Sequence, residues 1–94
     1  MRVNWSIQAA RDAEEAWLFI AADNPDAADR VMGRIHTALE LLSENPKMGR
    51  RGAVGKTREF VVSSTPYILV YEVVAGTIEV RRVMHGARRM PPRR

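Results

Sequence analysis

Two helix-forming stretches separated by the pair Asn24-Pro25 leave this chain little choice of beginning. The asparagine side chain can cap a new helix, and proline at the first helical position lacks only a donor that would be unpaired there anyway. Upstream, Val3 to Trp5 is a short apolar patch, Ser6 stands where an N-cap would, and Ala9, Ala10, Ala13, Glu14, Glu15 and Ala16 favour helix. The first helix is therefore expected over Ile7 to Ala22. Downstream, Ala28, Val31, Met32, Ile35, Leu39 and Leu42 recur at three- and four-residue spacing, which buries one stripe and leaves Arg30, Arg34 and Glu40 outside it. Asn45-Pro46 ends this second helix. With so short a connection the two must fold back as an antiparallel hairpin, and the alanines of the first permit close approach.

The remainder changes character. Pro46 to Lys56 holds three glycines and four cations with neither helical nor strand periodicity, and reads as a basic surface loop. Its glycine spacing matches no phosphate-cradling motif. From Thr57 onward β-branched and aromatic residues dominate, with breaks at Ser63 to Pro66 and at Ala75-Gly76, so an antiparallel meander of three strands is expected. The middle strand, Tyr67 to Val74, is apolar on both faces. Tyr67, Leu69, Tyr71 and Val73 form one; Ile68, Val70 and Val74 form the other, interrupted by Glu72. One helical hairpin covers only one face, so the second becomes a protein-binding surface or lies beneath a loop or the C-terminal tail. In the last strand the alternation of Ile78 and Val80 slips before Val83, which predicts a bulge or strong twist at Arg81-Arg82.

Ninety-four residues make one domain with a modest core, here taken as 1–94 with 86–94 a basic tail. There is no cysteine, so disulfides, thiolate metal sites and cysteine nucleophiles are excluded, in keeping with a cytosolic protein. No apolar run is long enough to span a membrane. Charge is split. Up to Asn45 four basic residues face eight acidic ones; from Pro46 eleven face three. The second half is rich in clustered arginine, whose planar fork suits carboxylate and phosphate. Arg58 and Glu59, adjacent on a strand, point to opposite faces and must find partners across strands or on a helix. Trp5 and Trp17 read as core, as do Phe60, Tyr67 and Tyr71, unless these three face a partner.

Trp5-Ser6 opening the first helix, Asn24-Pro25 with Ala27-Ala28, Asn45-Pro46 with Gly49-Arg50, Thr57-Arg58-Glu59, Pro66-Tyr67 with Tyr71, and Val83-Met84-His85-Gly86-Ala87-Arg88 together resemble the ParE branch of the RelE/ParE toxins. The likeness covers almost the whole chain. It implies an α+β fold of order β-α-α-β-β-β, a helical hairpin on a twisted antiparallel sheet. It also implies the toxin of a type II toxin-antitoxin pair, forming a hetero-oligomer with a ParD-like antitoxin. DNA contact would then be indirect, through the antitoxin. Ile68, Val70, Val74 and Met84 are the candidate antitoxin-binding residues. No cofactor or metal is implied.

Members of this superfamily differ in target. The RelE-like branch cleaves ribosome-bound messenger RNA, which requires a base for the ribose 2′-hydroxyl and cations for the phosphorane. An arginine commonly follows the aromatic residue that opens the middle strand in that branch; here Ile68 follows Tyr67, and no tyrosine occurs after Tyr71. If the chain is a nuclease, His85 and Arg88 are its candidate base and phosphate clamp; His85 otherwise packs at the strand end, bonded to a backbone carbonyl, or contacts the antitoxin. The ParE-like branch poisons DNA gyrase and performs no chemistry of its own. For that reading the target-binding candidates are Arg81, Arg82, Arg88 and Arg89, with Met90-Pro91-Pro92 as a stiff extension. A third reading is a toxin-like module that binds antitoxin without toxicity; a direct nucleic-acid binder would instead show steep salt dependence.

Overall fold

The computed structural model describes residues 1–87, in the order β1 (Arg2–Trp5), α1 (Ile7–Ala21), α2 (Pro25–Glu44), β2 (Arg50–Arg51), β3 (Arg58–Val61), β4 (Tyr67–Val74) and β5 (Thr77–His85). Both helices start as their caps dictate. The Ser6 side chain accepts from the Ala9 N–H at 2.9 Å and that of Asn24 from the Ala27 N–H at 3.1 Å. Helix α1 stops one residue earlier than expected, with Ala22 as its C-cap.

The five strands form one sheet in the order β1-β5-β4-β3-β2. The expected meander is present: β3 pairs antiparallel with β4, and β4 with β5. Ala75 and Gly76, both at positive φ, make the two-residue turn that joins β4 to β5. The sheet is nevertheless mixed, because β1 runs parallel to β5 from Arg2↔Thr77 to Trp5↔Val80. Such a parallel pair needs a long crossover, here everything between the strands, and sequence periodicity carries no trace of it. The basic loop also contains a two-residue strand, β2, held by β3 through Arg50↔Glu59 and Arg51↔Arg58. The bulge falls where the broken alternation puts it: Val70 pairs with Arg82 and Tyr71 with Val80, leaving Arg81 as the extra residue.

The hairpin lies against one face of the sheet. Ala9, Ala16, Ile35, Ala38, Leu39 and Leu42 pack on Val62, Tyr67, Leu69, Tyr71, Ile78, Val80 and Val83. Trp5 and Trp17 are not in this core, contrary to expectation. Trp5 is 39% exposed at the end of the edge strand, and half-buried Trp17 spans the helices by donating its indole N–H to Asp29 at 3.0 Å. An indole N–H needs a polar partner, which draws it to the rim of the hairpin.

Fully buried Tyr71 is the pin between core and basic loop. Its hydroxyl donates to the Pro46 carbonyl at 2.7 Å and accepts from the Gly49 N–H at 3.0 Å. Burial pushes its phenol up, and the Gly49 bond and the charge of Arg58 act in the opposite direction. Arg58 donates to the Gly49 carbonyl at 2.8 Å, and Glu59 pairs with Arg50 across the strands at 3.2 Å. These two neighbours thus serve opposite faces, with Arg58 binding loop carbonyls rather than an acid.

Candidate functional site

Past Trp5 the chain leaves the sheet, so from Arg81 to His85 β5 keeps β4 on one side but has no strand on the β1 side, where α1 takes that place. The Ser6 N–H bonds the Val80 carbonyl at 2.9 Å and the Ser6 hydroxyl donates to the Arg81 carbonyl at 3.0 Å. Nearly two turns further on, the buried carboxylate of Asp12 accepts from the Val83 N–H at 2.9 Å, from Arg82 Nε at 2.7 Å and from Gln8 Nε2 at 3.0 Å. A side-chain oxygen thus stands where a neighbouring strand's carbonyl would be. Burial favours the protonated acid, but the hydrogen bonds from Arg82, Val83 and Gln8 outweigh it and hold the Asp12 carboxyl below the usual carboxylate range. The same bond pushes Arg82 further up.

Between α1 and this end of β5 lies an open cleft of about 410 Å³, lined by Asp12, Glu15, Phe19, Tyr67, Met84 and His85 among others. The His85 ring meets Tyr67 edge-on, with centroids 5.4 Å apart and planes at 83°. Its Nδ1 accepts from the Ala87 N–H at 3.1 Å. The imidazole therefore packs at the strand end, but it bonds a backbone N–H instead of the expected carbonyl, because the chain turns back at Gly86. That turn is fixed by the Gly86 N–H bonding the Pro66 carbonyl at 2.6 Å.

The candidate residues separate into distinct places. Arg82 and His85 share the cleft, with Arg82 committed to Asp12. Arg81, on the bulge, pairs with Glu72 at 3.2 Å. Arg88 and Arg89 lie outside the described residues. By register Ile68, Val70, Val74 and Met84 all belong to the outer face of the sheet, and Met84 also borders the cleft beside α1. Ile68 is only 8% exposed there and lies beside Gly86, Val70 and Met84 are half-buried, and Val74 is exposed. Directly paired residues make a continuous apolar row across three strands, Val61–Ile68–Met84. Among the described residues no cluster of acidic and histidine side chains is arranged to hold a metal, and no helix is long and apolar enough to cross a membrane.

Asp12 is the central residue that sequence reasoning does not single out. Its signal is its spacing: Ala9, Asp12 and Ala16 are the buried positions of α1, so a carboxylate sits on the alanine stripe. The linkage follows from the depressed acid. Asp12 binds its proton less readily folded than unfolded, so its stabilisation is complete above the unfolded value of about 3.9 and is lost as pH falls through the lower folded value. Melting temperature is expected to fall below about pH 4 in the native protein. In Asp12→Asn it is expected to be lower at neutral pH and flatter in acid, as a series of thermal melts would show.

Residues 3–90 match the family described as the ParE toxin of type II toxin-antitoxin system, parDE. The chain is 40% identical over 90 residues to the toxin candidate Y4kP of Sinorhizobium fredii, covering 96% of this chain and 93% of that protein. It is 36% identical over 87 residues to toxin RelE2 of Caulobacter vibrioides, covering 93% and 97%. Its fold matches a chain of the chromosomal ParDE system from P. aeruginosa with a TM-score of 0.78 at 20% identity, over 90% of this chain and 95% of that one. A chain of the intact E. coli RelBE toxin-antitoxin complex matches with a TM-score of 0.61 at 14% identity, over 87% and 92%. The hairpin on a mixed sheet is the fold shared with these structures, and the chain belongs to the ParE toxin family of type II toxin-antitoxin systems.

Proposed function

We propose that this toxin arrests growth by binding DNA gyrase and stabilising its cleaved DNA, and that a cognate antitoxin neutralises it by covering the outer face of the sheet. The observation that carries the target assignment is the row Val61–Ile68–Met84. Ile68 occupies the position where the RelE-like pattern commonly has an arginine, and its cross-strand neighbours are apolar too. Cleavage of RNA concentrates negative charge on the phosphorane and needs cations aimed at it. The cleft beside His85 adds to the argument. A message entering it would meet Asp12 and Glu15, while Arg82 is already bonded to one of those carboxylates. Poisoning a topoisomerase requires a fitted surface and no such chemistry.

His85→Gln is accordingly expected to keep growth arrest within about threefold on induction in a bacterial host, whereas loss of a general base typically costs a hundredfold or more. Pulse labelling should show DNA synthesis falling before protein synthesis. The reverse order, with arrest abolished in His85→Gln, would favour the ribonuclease, and growth without either loss would leave a non-toxic binding module. Antitoxin capture is expected to depend on the outer face instead. Met84→Glu places a charge in the apolar row and should weaken capture about tenfold or more while leaving arrest intact, measurable by co-purification and growth in parallel.

A further inference from the structure

Strand β1 is an outer strand of the sheet, with β5 on one side and no strand on the other. The Ser6 N–H bonds the Val80 carbonyl at 2.9 Å, one position past the pair Trp5↔Val80. By the alternation of a ladder, Asn4 also turns its N–H and C=O toward β5, and those of Val3 and Trp5 point outward from the edge. None of these four outward groups has a bonded partner among the described residues. Neither proline nor a bulge blunts the edge. On the helix side Val3 packs against the core, and Trp5 borders an open recess of about 370 Å³ shared with Ala10, Ala13, Met32 and His36 among others. On the outer face Glu79 stands directly opposite Glu72. Arg81 takes Glu72, whereas Glu79 is bonded to the Asn4 amide at 3.2 Å and has no paired cation among the described residues.

We propose that two copies of this chain associate through β1, antiparallel about a two-fold axis that passes through Asn4 perpendicular to the sheet. In that register Val3 stands opposite the copy's Trp5, and Trp5 opposite the copy's Val3, so the outward N–H and C=O groups of both strands all pair. The axis keeps the faces in common. Both helical hairpins lie on one side, where the two recesses meet and each indole covers the copy's Val3. Both outer faces lie on the other, where the copy's Arg2 falls diagonally past Asn4, within reach of Glu79, and supplies the cation which that carboxylate lacks. This matching selects a second copy rather than a foreign strand. An isologous contact requires a strand to be its own complement, and Val3-Asn4-Trp5 is, with an uncharged residue at the position that meets itself. A four-residue strand contributes little against the roughly 1,200 Å² from which stable interfaces start, so a dissociation constant on the order of 10–100 µM is expected.

The test is sedimentation equilibrium and amide NMR of the full chain, diluted from about 1 mM to about 10 µM. A monomer–dimer equilibrium is expected, with concentration-dependent shifts confined to residues 2–6 and to the recess beside Met32 and His36. Asn4→Lys can pair with Glu79 within the monomer but meets its own charge across the axis, and should weaken association about threefold or more. Asn4→Glu should weaken it likewise, and mixing the two variants should restore it as a mixed dimer, because opposite charges then face each other. A monomer throughout the dilution series, association that Asn4→Lys leaves unchanged, or a mixture no tighter than either variant alone would overturn the proposal.

Discussion

Asp12→Ala is expected to remove about 2–3 kcal/mol of stability, or on the order of 10–20 °C in melting temperature for a domain of this size. Deleting one partner of a buried ion pair usually costs 3–5 kcal/mol, roughly, because the other charge is stranded. Arg82 is 44% exposed and can recover water, so the loss falls to or below the bottom of that range. What cannot recover is the Val83 N–H, which lies under α1 at a strandless edge and loses its acceptor. The reverse truncation should be milder. Arg82→Ala leaves Asp12 bonded to Val83 and Gln8, and about 1 kcal/mol is expected. Equal losses from the two truncations, read by chemical denaturation, would mean that the ion pair rather than the edge contact holds α1 to β5.

Gly49→Ala should be nearly as damaging although it adds one methyl group. A Cβ there would stand 2.6 Å from the Tyr71 hydroxyl oxygen, 2.8 Å from its ring and 2.9 Å from the Glu59 carbonyl oxygen. Tyr71 is fully buried and Glu59 is held in the ladder, so neither can yield cheaply. A loss of about 2–3 kcal/mol is expected from overpacking. Tyr71→Phe alone leaves the Pro46 carbonyl and the Gly49 N–H without their shared partner and should cost about 1–2 kcal/mol. Combined, the two changes should lose less than their sum, because phenylalanine removes the closest of the three clashing atoms. Strict additivity in the double-mutant cycle would show that the hydroxyl is not what demands glycine at position 49.

Much of this architecture is written locally. The hairpin follows from Asn24-Pro25, the meander from its breaks, and the bulge at Arg81 from one slipped alternation, because each is decided by residues a few positions apart. Features set by distant partners are different. Strand β2 exists because β3 offers it a ladder, and nothing in Arg50-Arg51 favours a strand by itself. The parallel pairing of β1 with β5 likewise joins segments more than seventy residues apart. Trp5 and Trp17 misled because aromatic residues in apolar surroundings resemble core until the edge strand and the indole N–H are considered. In the cleft, His85 was legible as a strand-end residue, but its bond to the Ala87 N–H depends on the turn at Gly86. Arg82 was legible as a cation, yet its environment depends on Asp12, seventy residues away.

A surface that binds without chemistry makes one direct demand. Purified toxin, DNA gyrase and supercoiled plasmid should accumulate broken DNA once the enzyme is denatured and digested, with His85→Gln as effective as the native chain. Intact supercoiling activity at excess toxin, together with cut messages in a translating extract, would contradict the gyrase assignment and make the cleft beside His85 a ribonuclease centre.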